Sequence, residues 1–158
     1  MKTKISIGIR ATPSCIFYAI VKENKDSFEI ISIDKLVVPT ALIIPEQLKF
    51  IRNTFLDIVD EFNINLACIR VTESTAQQTS NFRIAIEAVV QELFASSSIE
   101  YYFSGQISNI SAKLSFNRDL FKSYVAGTVS YLDLDGWSKY NSESREALLA
   151  AFSALKLI

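Results

Sequence analysis

Residues 4–21 read KISIGIRATPSCIFYAIV, and the fold follows from how this stretch alternates. Ile5, Ile7 and Ile9 are separated by Ser6, Gly8 and Arg10, the two-residue period of a strand with one apolar face. Arg10 is thereby placed on the face opposite the isoleucines, with Gly8 leaving room beside it. Ala11–Ser14 supplies a tight turn. Cys15–Val21 is nearly continuous in apolar residues, as suits an interior strand covered on both faces. After a charged turn at Lys22–Ser27, Phe28–Val38 reads as a third strand. Its alternation sets Phe28, Ile30, Ser32 and Asp34 on one face and Glu29, Ile31 and Ile33 on the other. The opening is a three-stranded antiparallel meander.

Pro39 breaks the third strand. Pro45 suits a first helical turn, where its missing N–H costs nothing, and Glu46 favours the positive end of a helix. Leu48, Ile51, Phe55, Ile58, Val59 and Phe62 then recur at spacings of three and four, which predicts an amphipathic helix ended by Asn63–Asn65. Leu66–Val71 is a buried strand interrupted only by Arg70, and it runs into Thr72-Glu73-Ser74. The polar loop Ser74–Ser80 leads to a second helix, capped by Thr79 or Ser80, with Phe82, Ile86, Val89, Val90, Leu93 and Phe94 as its apolar stripe. Ile99–Phe103 reads as a fifth strand. Gly105–Leu114 reads as a short helix, and a further one runs through Leu120, Phe121, Tyr124 and Val125 to about Ser130. Asn141 or Ser142 caps a last helix whose packing face is Ala147, Leu148, Ala151, Phe152 and Leu155. The order β-β-β-α-β-α-β-α-α-α describes an α/β domain spanning residues 1–158, with a mixed five-stranded sheet flanked by helices.

Composition narrows the chemistry. With no histidine among 158 residues, His-based triads, His metal ligands and histidine pH switches are excluded. Cys15 and Cys68 lie in separate strands and read as reduced, buried thiols, not as metal ligands. A net charge of −1 gives no global field toward nucleic acid. No apolar run reaches the ~18 residues of a membrane span, and the N-terminus lacks a signal-peptide pattern, so a cytoplasmic location is expected.

The element order, with Gly8-Ile9-Arg10 on the first strand, resembles the ribonuclease H-like fold, and within it the RuvC-type Holliday-junction resolvases. Gly8-Ile9-Arg10 resembles that family's Gly-Ile-Asp, and Glu73 stands where the family carries a catalytic Glu. Ser104-Gly105-Gln106-Ile107 resembles its loop after the fifth strand. Glu143-Ser-Arg-Glu146-Ala-Leu-Leu-Ala resembles its last helix, which opens with acids three apart. The resemblance implies a carboxylate cluster holding two Mg²⁺ or Mn²⁺ ions about 3.5–4 Å apart. Here the first-strand Asp is replaced by Arg10, and residues 1–22 contain no Asp or Glu at all. A guanidinium stays protonated and repels a divalent cation at that point.

Two functions follow from the resemblance. The first is a non-catalytic module needing no cofactor, in which Arg10 replaces the metal and pairs with Glu73 in a site that includes Glu146. Its partner would be nucleic acid or, given the net charge, rather a protein. The second is a divergent nuclease holding one Mg²⁺ or Mn²⁺ on Glu73, Glu143 and Glu146, with Asp34 as a further candidate ligand. A small-molecule site in the strand-end crevice is a third reading. Lys113, Arg118 and Lys122 are candidates for nucleic-acid contact. Asp133-Leu-Asp135-Gly136 lacks the remaining ligands of a calcium loop and reads as a turn.

Overall fold

The computed structural model describes residues 2–158. β1 (Lys4–Ala11) and β2 (Cys15–Glu23) pair antiparallel, from Lys4 opposite Glu23 to Ala11 opposite Ile16. The turn between them is closed by the Thr12 N–H donating to the Cys15 carbonyl and by the Cys15 N–H donating to Thr12 Oγ1. β3 (Phe28–Val37) continues the meander, and β4 (Leu66–Arg70) and β5 (Tyr101–Gly105) add parallel strands on the other side of β1. The sheet order is β3-β2-β1-β4-β5. The element order matches the expectation drawn from the sequence.

The alternation expected for β3 does not hold along its whole length. Pairing with β2 slips between Ile20 and Val21, so Val21 faces Ile30 while Ile20 faces Ser32. Ile31 is the extra residue of a β-bulge, and a bulge reverses which face each following residue takes. Phe28, Ile30 and Ile33 therefore share one core layer while Ile31 and Leu36 join the other.

Two core layers cover the sheet. On one face, α1 (Ile44–Glu61) and α2 (Asn81–Ser96) bury Ile51, Phe55, Val59, Ile86, Val90 and Leu93 against Ile7, Ile9 and Ile69. The Ser80 hydroxyl caps α2 by accepting from the Arg83 N–H at 3.2 Å. On the other face lie α3 (Ile107–Lys113), α4 (Arg118–Ala126) and α5 (Ser142–Ala154). α3 starts two residues later than expected because β5 runs on to Gly105, whose carbonyl accepts from Val71 N. α4 stops at Gly127, earlier than the expected Ser130, because Gly127 takes a left-handed conformation (φ 80°).

α5 is the element that fixes the site. Its alanines let it lie directly on β1, and Gly8 makes that approach possible. A Cβ on Gly8 would fall 1.9 Å from the Ala147 carbonyl oxygen and 2.3 Å from the Ala151 nitrogen. Ser6 Oγ donates to the Ala151 carbonyl at 2.8 Å across the same contact. Gly8 thus makes room for the α5 backbone, not for the Arg10 side chain.

Candidate functional site

Arg10 and Arg70 end the two central parallel strands as direct register partners. Arg70 is 3 % exposed. Two guanidinium groups held side by side repel one another, and the arrangement persists only where carboxylates lie between them. Glu146, one turn into α5, supplies the first. Its Oε2 sits 3.1 Å from Arg10 Nε and 3.0 Å from Arg70 Nε, held by charge without an aligned hydrogen bond to either. Arg10 Nη1 also donates to the Arg70 carbonyl at 3.1 Å. Burial draws the Arg10 pKa down to about 10 while Glu146 opposes that shift, so the group remains a cation at neutral pH.

Glu73 is the second acid. Arg70 Nη2 lies 3.3 Å from Glu73 Oε1, and the same oxygen accepts from the Ile107 N–H at 2.8 Å. With the Gln106 amide turned so that both its ends are satisfied, it donates to Glu73 Oε2 at 2.9 Å and accepts from Ser74 N at 3.2 Å. Glu73 therefore ties the loop after β4 to the start of α3. A third acid, Glu87 on α2, is 4 % exposed. Its carboxylate accepts from the Thr72 N–H at 2.9 Å and from Thr72 Oγ1 at 2.9 Å, with Arg83 Nε 3.6 Å away. The strand ends thus carry three guanidiniums and three carboxylates.

This corrects the expected pairing of Arg10 with Glu73. Arg70 stands between them and takes Glu73, its neighbour three residues on, which leaves Arg10 to Glu146. Arg70 read in the sequence only as a break in an apolar run, yet it links the whole network. Arg83 and Glu87 were also missed, being four apart on a helix where such pairs are commonplace. Glu143 stays outside the network: it sits in the first turn of α5 and accepts from Ser142 Oγ at 3.0 Å. Asp34 is in register with Tyr18, which packs in the α1–α2 layer, so it faces away from Arg10. Lys113, Arg118 and Lys122 are exposed on α3 and α4 and form no ion pair among the described residues. Lys113 Nζ lies 5.7 Å from the centre of the Phe103 ring.

The donor set does not suit a pair of divalent ions. Among the described residues, no three His, Cys, Asp or Glu side chains converge where they could hold a metal. The two acids nearest β1 each face an arginine at contact distance. Asp133 and Asp135 are likewise exposed in a turn between short 3₁₀ segments, at Tyr131–Asp133 and Trp137–Lys139. Among the described residues, no helix is long and apolar enough to cross a membrane.

Solved structures similar to this chain include Thermus thermophilus RuvC, at a TM-score of 0.74 and 13% identity over 96% of this chain and 93% of that one. T. thermophilus RuvC in complex with a Holliday junction substrate gives 0.70 at 10% identity, with the same coverage. Fowlpox virus resolvase in complex with its substrate Holliday junction DNA gives 0.53 at 12% identity, over 98% of this chain and 99% of that one. No protein-family model and no curated protein sequence matches the chain. The likeness is one of fold: a mixed five-stranded sheet with flanking helices, shared with the RuvC structures.

Proposed function

We propose that this chain is a non-catalytic module of the ribonuclease H-like fold that binds nucleic acid in the cytoplasm without a metal cofactor. The observation that carries the reading is Glu146 held between Arg10 and Arg70. One permanent cation, Arg10, stands where the resemblance puts the first catalytic acid, and with Arg70 it occupies the carboxylates that would otherwise bind Mg²⁺. Removing a bridging carboxylate takes away the ligand that positions both the attacking water and the leaving oxygen. Binding requires neither. The likeness to two resolvase structures that hold junction DNA supports nucleic acid as the partner class. The exposed, unpaired Lys113, Arg118 and Lys122 supply local positive charge that the overall balance of −1 conceals.

Fluorescence anisotropy with a labelled four-way junction, a duplex and a single strand, all in EDTA, tests this directly. Binding without metal, weakening steeply as salt rises, is expected. The triple variant Lys113→Glu, Arg118→Glu, Lys122→Glu should lose it. The same substrates incubated with Mg²⁺ or Mn²⁺ should remain intact. Metal-dependent cleavage that disappears in Glu73→Ala would instead establish the divergent nuclease, and failure to bind any of the three would remove nucleic acid as the partner.

A further inference from the structure

We infer that the cavity between α3, α4 and α5 is a binding site for a small amphipathic anion, a carboxylate or phosphate ester on a compact apolar body. Arg145 lines this cavity and is only 8 % exposed. Its Nε donates to the Val125 carbonyl at 2.7 Å, and its Nη1 donates to the carbonyls of Ser138 and Tyr140. Among the described residues no carboxylate pairs with it, although buried charges are ordinarily paired. Nη2 makes no hydrogen bond, yet it is not among the buried polar atoms cut off from solvent. Gly127 backs the group: a Cβ there would lie 2.8 Å from Nη1 and 3.2 Å from Nη2. The guanidinium is therefore braced on one side, and the two N–H donors of Nη2 stay without a partner among the described residues.

The cavity has a volume of about 380 Å³, within the range of small-molecule sites. Ile107, Phe121, Val125 and Ala126 make its apolar wall, and Lys122 adds a second cation. Glu146 also borders it, but its charge is already met by Arg10 and Arg70. The positive end of α5 at Ser142 is opposed by the negative end of α4 at Val125 and Ala126, so the preference for an anion rests on Arg145 and Lys122. Charge and shape together select an anion with an apolar body. The cavity shares Lys122 and Glu146 with the residues of the nucleic-acid reading, but the inference does not depend on that reading.

Titration of the ¹⁵N-labelled full chain with phenyl phosphate and with 3-phenylpropionate, using 3-phenylpropionamide as the neutral control, tests the assignment. Saturable shifts in the amides lining this cavity are expected for at least one anion. Its affinity should exceed that of the amide by about tenfold or more, as loss of one charge-assisted hydrogen bond implies. The stronger of the two anions identifies the ligand class. Lys122→Glu should weaken binding, and Ala126→Trp, at an exposed position, should abolish it without disturbing Arg145. Absence of shifts with both anions, equal binding of the neutral amide, or shifts that map elsewhere would overturn the inference.

Discussion

Arg10 and Arg70 are neighbours in register on adjacent parallel strands, and both approach the same carboxylate oxygen of Glu146 to about 3 Å. Adjacent strands lie roughly 4.8 Å apart, so the two guanidiniums could not coexist there without an anion between them. With Glu73 on Arg70, two guanidiniums and two carboxylates make a closed charge balance joining β1, β4 and its following loop, and α5.

Removing Glu146 should therefore be costly. Glu146→Gln leaves two largely buried cations without their shared counter-charge, and a loss of about 3 kcal/mol is expected from breaking a buried pair on one side only. Adding Arg10→Met to that variant should recover part of the loss, because one of the stranded charges goes with it. Urea midpoints of the wild type, the two single variants and the double variant measure this. Equal additivity of the two substitutions would mean that the contact carries no coupling.

Gly8→Ala should be far more damaging than its single methyl suggests. The added carbon meets backbone atoms of α5, which cannot rotate away as a side chain could. Overpacking of this kind costs about 1–3 kcal/mol or more, and α5 must lift from β1, carrying Glu146 off Arg10. Thermal unfolding should show a drop of many degrees, with Ser6→Ala, which removes only one hydrogen bond, dropping much less.

Burial pushes the Cys68 thiol up to about 12 and, for Tyr131, pushes the phenol up to about 12. Both pKa values are raised on folding, so the stability each contributes is complete below its ordinary value, 9 for the thiol and 10 for the phenol. It is lost as pH climbs toward 12. Tyr131→Phe keeps the aromatic packing and should raise the pH of alkaline unfolding while leaving neutral stability nearly unchanged. At pH 8, iodoacetamide should label Cys15 readily and Cys68 only after denaturation, as read by mass spectrometry.

Glu73 holds the start of α3 through the Ile107 N–H and holds Gln106 and Arg70 as well. Glu73→Ala should speed amide hydrogen exchange at Ile107 and cost about 1–3 kcal/mol, the penalty for unsatisfied buried partners. Exchange unchanged at Ile107 would show that the loop is held by other contacts.

Much of the fold was legible because period-two alternation and three-four spacing are local signals. Residues 4–21 carry the hairpin, and the pairs Thr79/Ser80 and Asn141/Ser142 mark helix starts through ordinary capping chemistry, Ser80 and Asn141 being the caps the structure selects. The bulge at Ile31 was not legible, since nothing in its own sequence distinguishes it from a regular strand residue. At the site, the lost acid at Arg10 could be read directly, but its partner could not. Choosing between Glu73 and Glu146 required knowing that Arg70 comes into register beside Arg10. A lone arginine in an apolar strand was the available clue. Buried arginines need partners, and two acids lay within reach of that strand end.

The most direct test of a self-neutralised strand-end cluster is calorimetric titration of the purified protein with Mn²⁺. No saturable, stoichiometric heat is expected for the wild-type chain, nor for Arg10→Asp alone, because Arg70 still occupies Glu73 and Glu146. Tight binding of one or two Mn²⁺ ions by the wild-type protein, abolished in Glu73→Gln, would contradict the assignment of Arg10 and Arg70 as the resident cations.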